Sequence, residues 1–517
     1  MTRARARARA HAVRARRAGL TAALTALVAC AAAGPAVGLP VEARAGAEQR
    51  PPRVGRAPPF SFPQLDEARL SNGLAVQLFE RRGLPLLELR LVVLSGTASE
   101  GDRPGVAALT AAAIELGAAA HASRELAERV ESLGARVRVQ TTRDASVFAL
   151  TLPRSALDEG LALLGALTAP PRWNAAELEP LRRRELTRVQ TALRHDPSWT
   201  ASSALYAELF RASPRRHPYG HFDALPGDLE RLTWADCSTW YEHNFSPKNA
   251  FLLAVGDTTI ARLVPLAEHA LGGWQGKEVS PPLFFTPAPP SRLKTLLVDH
   301  PHLPRTELRV ATLGPERHAA GWSKLALLDQ LLGAGESSRA QLALARHAEL
   351  DAEVSSGLEE VAYGATPLVL SAQVASEQVP LALESLLDSW ATLSTREPEP
   401  RELRAATEQL SLSVLLALET TLGAADLFSR ASIAALPAGA FDEFRRELAR
   451  ISASDVRGAA LAYLKAPPIV VVVGDAARLV TPLSRFGQVH VMNRDLGVER
   501  VVTQDPTAPL ELGPSLP

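Results

Sequence analysis

The chain has 517 residues, of which 46% are hydrophobic and 22% charged, so it can bury two cores and does not have the composition of a disordered chain. Seven of its 56 basic residues precede Cys30, which leaves 49 basic against 56 acidic residues, a net charge of −7, in the remainder. This mildly acidic remainder argues against nucleic-acid binding, which needs clustered cations. The two cysteines, Cys30 and Cys237, cannot supply a disulfide framework.

Residues 1–33 have the composition of an export signal, with an arginine-rich start, an apolar stretch and small residues at its end. Leu27-Val28-Ala29-Cys30 is similar to the bacterial lipobox, in which the cysteine is lipid-modified and begins the mature protein. We therefore predict an exported protein of a Gram-negative-type bacterium, either periplasmic or anchored in the outer membrane through lipidation of Cys30. The alternative is ordinary cleavage near Ala33 or Gly38, with Cys30 incidental.

Residues 34–60 are rich in proline, glycine, alanine and arginine, a composition typical of a flexible tether. No later apolar stretch reaches the roughly 18 to 20 residues that a membrane span needs. Any membrane attachment is therefore expected to be through a lipid.

The first predicted domain, residues 61–279, begins with a tight turn at Asn72-Gly73, after which Leu74, Val76 and Leu78 alternate as in a strand. The further predicted elements are a strand Leu86–Leu94, an apolar helix Pro104–Leu116, a charged helix Ser123–Leu133, strands Val137–Thr142 and Ser146–Leu152, helices Leu157–Leu167 and Ala175–Leu193, a strand Ala250–Val255 and a helix ending near Leu271. This pattern is α+β.

Residues 280–293 contain the proline-rich run Pro281–Pro290, which predicts an interdomain linker because proline removes backbone donors and restricts φ. A second domain follows at 294–490, and residues 491–517 are predicted to be a C-terminal tail.

The two domains have matching landmarks in the same order, at offsets of 216 to 219 residues. The matched segments are Gly105–Gly117 with Gly321–Gly333, Arg231–Asp236 with Arg450–Asp455, and Ala254–Asp257 with Val472–Asp475. This repeat predicts two homologous domains, each a mainly antiparallel sheet flanked by helices, that face each other across a cleft.

These landmarks resemble those of the insulinase, pitrilysin and mitochondrial-processing-peptidase family, in its bacterial two-domain form. The resemblance covers about residues 62–490. Besides the opening turn and strand and the segment Gly105–Gly117, it depends on His217–Gly220, Asn244–Asp257 and Leu332–Arg339. It implies the metallopeptidase fold of the processing peptidases.

The resemblance also implies a zinc motif, His-x-x-Glu-His, on the helix that starts near Gly105. Two histidines one turn apart bind Zn²⁺ and the glutamate acts as a general base. These positions fall on Ala108, Ala111 and Ala112, whose methyl groups can neither bind metal nor accept a proton. The third ligand, a glutamate expected around Arg188 to Gln190, is also absent. We therefore predict no catalytic residue and no metal in this chain.

Other groupings of polar residues offer weaker alternatives. His217 and His221 lie four residues apart with Asp223 and His243 near in sequence, but Pro218 and Gly220 predict a loop rather than a helical pair of metal ligands. Glu115 is a lone carboxylate at the end of an apolar helix, and Cys237 is expected to be packed rather than nucleophilic.

One candidate binding residue lies in the second domain. In the family, an arginine and a tyrosine of this domain bind carbonyl groups of the peptide substrate. Ser337-Ser338-Arg339 preserves the arginine motif, whereas the tyrosine position falls near Ala352 and only Tyr363 is close. A guanidinium suits a carbonyl or carboxylate, so Arg339 is the predicted substrate-binding residue; the alternative is pairing with Glu336 or capping of a helix.

The predicted function is that of a catalytically inactive peptidase homologue, the non-catalytic subunit of a heterodimer. Its partner would be a homologous subunit with an intact zinc site, so that zinc is expected only in the partner, and the pair would enclose a peptide or unfolded polypeptide. The alternatives are a stand-alone scaffold or peptide-binding protein, and a zinc peptidase with an unrecognised site.

Overall fold

The computed structural model describes residues 60–116, 128–129, 131–169, 175–211, 217–335, 337–347, 350–359 and 361–503. The predicted export signal with Cys30, and the predicted tether up to residue 59, lie outside these residues, as do Glu336 and residues 504–517. The described chain from Ser61 onward belongs to one compact unit.

The first half forms a six-stranded sheet with helices. Its strands are β1 (Asp66–Arg69), β2 (Ala75–Glu80), β3 (Leu86–Val93), β4 (Arg136–Thr141), β5 (Ser146–Pro153) and β6 (Ala250–Gly256). Its helices are α1 (Val106–Glu115), α2 (Leu157–Leu167), α3 (Ala175–His195), α4 (Pro197–Leu209), α5 (Pro226–Arg231), α6 (Trp234–Asn244) and α7 (Ile260–Leu271). The strand order is β1-β2-β6-β3-β5-β4, and only β2 and β6 pair in parallel.

The second half forms a seven-stranded sheet. Its strands are β7 (Lys294–Asp299), β8 (Thr306–Glu316), β9 (Glu353–Leu358), β10 (Ala365–Val374), β11 (Ile469–Gly474), β12 (Gln488–Met492) and β13 (Val498–Val502). Its helices are α8 (Trp322–Asp329), α9 (Arg339–Ala345), α10 (Val379–Thr395), α11 (Pro400–Ala417), α12 (Thr421–Ile433), α13 (Ala440–Leu448), α14 (Ala453–Tyr463) and α15 (Ala476–Ser484). A π-helix, Gln330–Ala334, continues α8. The strand order is β13-β12-β7-β11-β8-β10-β9.

The repeat in the sequence appears as a repeat in topology. Five strands of the first sheet, in the order β2-β6-β3-β5-β4, correspond to β7-β11-β8-β10-β9 of the second. Both sheets are flanked by helices, as the α+β prediction states. The predicted end of the second domain, residue 490, lies within strand β12. The second sheet extends to Val502, into the segment predicted to be a C-terminal tail.

The two halves contact each other through a pair of equivalent helices. Helix α4 packs on the second sheet, where its Tyr206 and Leu205 share an apolar cluster with Val298 and Val471. Helix α12 packs on the first sheet, where Phe428 meets Phe251. The central strands β6 and β11 are therefore buried along their whole length, which accounts for their unbroken apolar sequences.

We call α4 and α12 the exchanged helices, because each covers the sheet of the other half. Each meets a largely buried Glu-Leu-Arg segment of the sheet that it covers. On β3, Arg90 pairs with Glu88 at 3.1 Å and with Asp426 of α12 at 2.7 Å. On β8, Arg309 pairs with Glu307 at 2.9 Å and donates to Ser198 of α4. This interface therefore follows the same duplication as the sheets.

Among the described helices, none alone has the length and apolar composition to cross a membrane. Helices α11 and α12, which meet at 108°, pass that test only when the two are counted together.

Candidate functional site

Helix α1 carries the three alanine positions, and a buried carboxylate holds its start. Glu100 accepts hydrogen bonds from the Gly105 and Ala107 N–H groups, both at 2.9 Å, and from His221 Nε2 at 3.0 Å. The Glu100 side chain is fully buried. Burial raises its pKa, and the interaction with His221 acts in the opposite direction. Glu100 thus satisfies two of the N–H groups that a helix start leaves without partners.

The residue before α1 has to be glycine for two reasons. Gly105 has φ of +91°, in the left-handed region. A Cβ there would lie 2.7 Å from a Leu229 methyl group and 2.9 Å from the Ala224 methyl group. The close approach brings α1 against α5.

Ala108, Ala111 and Ala112 lie in the first two turns of α1. Ala111 is 2% and Ala112 8% exposed, and Ala111 belongs to the same apolar core as Val189 of α3. In the part of the chain that the structure describes, no three His, Cys, Asp or Glu side chains are grouped so that they could hold a metal ion. Methyl groups have no lone pair to donate, so these three alanines do not fit a zinc ion.

The segment of α3 where the resemblance places a third zinc ligand, around Arg188 to Gln190, contains a paired arginine. Arg188 of α3 pairs with Glu185 at 2.7 Å and with Asp223 at 2.9 Å. Asp223 also accepts from Trp199 Nε1 at 3.0 Å. Both carboxylates are thus paired with the Arg188 guanidinium.

The loop His217–His221 connects different parts of the molecule and does not form a pair of ligands. His217 Nδ1 accepts from the Tyr219 N–H at 3.0 Å, so Nε2 is the protonated nitrogen and donates to the Phe285 carbonyl at 2.8 Å. Burial lowers the pKa of His217 and favours this neutral form. His221 is hydrogen-bonded to Glu100 instead.

The same loop connects the two halves to the proline-rich segment. Tyr219 donates to Asp144 at 2.5 Å, and Asp144 accepts from the Ala362 N–H at 2.9 Å. Phe284 stacks on Tyr363 with ring centroids 5.0 Å apart. The predicted linker is therefore held at its centre by His217 and Tyr363.

The other candidates of the first half have no arrangement that indicates catalysis. His243 donates to the Thr239 carbonyl of its own helix at 2.7 Å. Cys237 is completely buried, and burial raises the pKa of its thiol to about 11, which keeps it protonated and unreactive. Glu115 lies half-buried at the end of α1.

Arg339 begins helix α9, and its side chain forms hydrogen bonds within the protein. Its Nε donates to Glu402 at 2.8 Å, and its Nη1 donates to the carbonyls of Thr392 and Arg396 at 3.1 and 3.2 Å. It thereby caps the C-terminal end of α10. Peptide binding by Arg339 stays a prediction, and it requires these donors to change partners.

A buried carboxyl group that the sequence did not single out lies at the end of α8. Asp329 ends α8 just before the π-helix, and Ser356 of β9 donates to it. Burial raises the pKa of Asp329 from 3.8 to about 6, despite the hydrogen bond from Ser356. Its only signal in the sequence is an acidic residue within an apolar helix.

We expect Asp329→Asn to stabilise the protein more at high pH than at low pH. Because its pKa is raised on folding, Asp329 contributes stability below pH 3.8 that is lost as the pH rises through about 6. At about 1.4 kcal/mol per pKa unit, the gain should be about 3 kcal/mol at pH 7.5 and about half of that at pH 5. Urea unfolding at both pH values measures it. Asp102→Asn, at an exposed position, is the control, and an equal gain at both pH values would contradict the assignment.

One outer strand of each sheet, β4 in the first and β9 in the second, presents a free edge in the described part of the molecule. Strand β4 pairs with β5 alone, and β9 pairs with β10 alone. Arg136 and Arg138 of β4 are exposed, whereas Val137 and Val139 pack against the core. The two arginines lie on the sheet face that also carries Arg90, since Arg138 is opposite Ala149 and Ala149 opposite Arg90.

Two sequence-family models match the chain. The model described as insulinase (peptidase family M16) matches residues 85–218, and the model described as peptidase M16 inactive domain matches residues 231–410. No curated protein matches the chain.

Solved structures with the same fold are known. A peptidase M16 inactive domain from Pseudomonas fluorescens has a TM-score of 0.71 at 22% identity, over 80% of this chain and 98% of its own. A protease from Helicobacter pylori has a TM-score of 0.71 at 19% identity, over 80% of this chain and 100% of its own. At these identities the likeness concerns the fold.

Proposed function

The chain belongs to the insulinase (peptidase M16) family, and from that premise we propose that it is the non-catalytic subunit of a peptide-enclosing pair. The observation that carries the proposal is that helix α1 has Ala108, Ala111 and Ala112. These are the positions where the resemblance places the two histidine ligands and the glutamate base. A zinc site in the partner supplies the hydrolytic chemistry. This chain contributes the opposite wall of the chamber.

The proposed mechanism is enclosure and alignment of an extended peptide. An outer strand with a free edge offers backbone N–H and C=O groups to which a peptide adds as a further strand. Strand β4 lies next to α1 in the first half, and it is the proposed binding edge. Alignment there restricts the peptide to an extended form, which lowers the entropy cost of presenting it to the partner's zinc.

The extensive contacts between the halves support a role as a fixed wall. The exchanged helices, the Arg90–Asp426 ion pair, the hydrogen bond from Arg309 to Ser198, and the contacts of Phe284 with Tyr219 and Tyr363 connect the halves. A surface that does not reorganise loses less free energy when it binds a partner.

We also propose export of the protein, with attachment through Cys30. The arginine-rich start and the Leu27–Cys30 motif support this proposal. Metabolic labelling with a radioactive fatty acid tests it: label incorporated into the natural chain and lost in Cys30→Ser is expected, and label retained in that variant would contradict lipidation.

The central experiment is co-expression with a homologue from the same genome that has an intact zinc motif. We expect the pair to co-purify, and peptide cleavage to need both subunits and to stop with a chelator. The chain alone should hold substoichiometric zinc and cleave nothing, because its alanines provide no ligands.

Two outcomes would overturn the proposal. Stoichiometric zinc and chelator-sensitive cleavage by the chain alone would make it a peptidase with an unrecognised site. A monomer that leaves the homologue's activity unchanged would favour a stand-alone scaffold or peptide-binding protein. Arg339→Ala is compared with Glu402→Gln, which weakens the same ion pair and keeps the guanidinium: a binding role reduces cleavage by the pair in the Arg339 variant and not in the Glu402 variant, whereas a structural role affects both.

A further inference from the structure

We infer that strand β4 binds an extended peptide that carries acidic side chains at alternate positions. The inference rests on the proposed function, because it names the class of peptide held at the proposed edge. It comes from the side chains of β4 itself, which set a charge pattern at this edge.

The geometry of β4 determines which peptide positions are recognised. Arg136 and Arg138 are two residues apart, so they extend from the same face of the strand, and both are exposed. Neither forms an ion pair with another residue in the described ranges. A peptide paired with β4 places alternate side chains opposite them, at Cβ separations of about 4.5–5.5 Å.

A carboxylate suits these positions for chemical reasons. The guanidinium is planar and its donors can engage both oxygens of a carboxylate. The residues between the acidic positions lie on the other face, which is the face where Val137 and Val139 pack on the core. The preferred segment therefore alternates acidic residues with small or apolar ones.

The charge of β4 is opposite in sign to the net charge of the chain and differs from that of the equivalent strand in the second half. From Cys30 onward the chain has a net charge of −7. The two exposed arginines of β4 are therefore not explained by a general excess of basic residues. In the second half, the strand equivalent to β4 is β9, where the register places Glu353 and Ser355 at the positions of Arg136 and Arg138. An acidic peptide is thus attracted to the first edge and not to the second.

Binding of capped ten-residue peptides to the full mature chain tests the inference. The peptides have threonine at odd positions and glutamate, glutamine or lysine at even positions, and fluorescence anisotropy measures their affinity at low salt. We expect the glutamate peptide to bind about fivefold to tenfold more tightly than the glutamine peptide, the size expected from two exposed charge pairs. N-methylation of its backbone amides on one edge should abolish binding.

Matched variants locate the effect. Arg136→Thr with Arg138→Thr should remove the preference, and Arg136→Glu with Arg138→Glu should reverse it toward the lysine peptide. Arg401→Thr with Arg404→Thr removes the same charge from exposed positions of α11 and should leave it unchanged. Thermal unfolding checks that each variant folds.

Each outcome decides a separate question. Equal binding of the three peptides, sensitive to N-methylation, would overturn the acidic preference and leave the edge-strand mechanism standing. A preference that survives loss of both arginines would overturn the assignment to β4. Absence of all binding would overturn the inference, while the subunit role is decided separately by zinc content and by cleavage with the partner.

Discussion

We expect Arg90→Ala to lower the free energy of unfolding by about 3–5 kcal/mol. Glu88 is 2% exposed and would be left as a buried charge whose remaining partner is the Thr151 hydroxyl at 2.6 Å. The substitution also removes the contacts of Arg90 with Asp426 and Ser429 of the exchanged helix α12. Chemical denaturation of the full mature chain measures the loss.

Arg154→Ala provides the control for Arg90→Ala. Arg154 pairs with Asp257 at 2.7 Å but is 52% exposed, so its loss should cost at most about 1 kcal/mol. Replacing the buried pair together, Glu88→Gln with Arg90→Met, should restore much of the stability, because no buried charge is then left alone. Equal effects of the Arg90 and Arg154 substitutions would contradict the importance of this buried pair.

The second large effect is expected for Glu100→Ala, at about 3–5 kcal/mol. This substitution leaves the Gly105 and Ala107 N–H groups and the His221 ring without their acceptor. All of these groups lie at the start of helix α1. Besides chemical denaturation, hydrogen exchange at the Gly105 and Ala107 amides should show the loss of protection.

Two variants test whether the cost of Glu100→Ala comes from burial. Glu100→Gln retains one acceptor oxygen and should lose about 1–2 kcal/mol. Asp236→Ala removes a partly exposed carboxylate that caps α6 through the Thr233 N–H at 2.9 Å, and should cost about 1 kcal/mol. A Glu100→Ala effect no larger than that of Asp236→Ala would indicate an ordinary helix cap.

Several elements of the fold were predictable because their signals are local. The alternation of Leu74, Val76 and Leu78, the apolar helix after Gly105 and the unbroken apolar strand near Ala250 each occur within one element. Helix α4 was missed although Asp196 and Pro197 are a recognisable helix start, with Asp196 accepting from the Trp199 N–H. That helix proved to be the one that covers the second sheet.

At the candidate site on α1, the sequence alone shows which chemistry three side chains cannot supply. Alanine at positions 108, 111 and 112 excludes metal ligands whatever the surrounding structure, because a methyl group has no lone pair to donate. The role of Arg339 was open in the sequence, since a guanidinium serves a substrate carbonyl or a helix end equally well. Its partner Glu402 lies 63 residues away in the chain, and no local pattern connects them.

The sequence by itself determined the α+β class and the duplicated order of elements, since each depends on residue type and spacing within short segments. Only the tertiary structure decided that α4 and α12 are exchanged between the halves, that Glu100 meets His221, and that Arg136 and Arg138 share the face of a free edge. These relations join residues far apart in the chain, or depend on which strand ends the sheet. Burial and pairing are properties of the assembled layers, so they arise only when the two halves pack together.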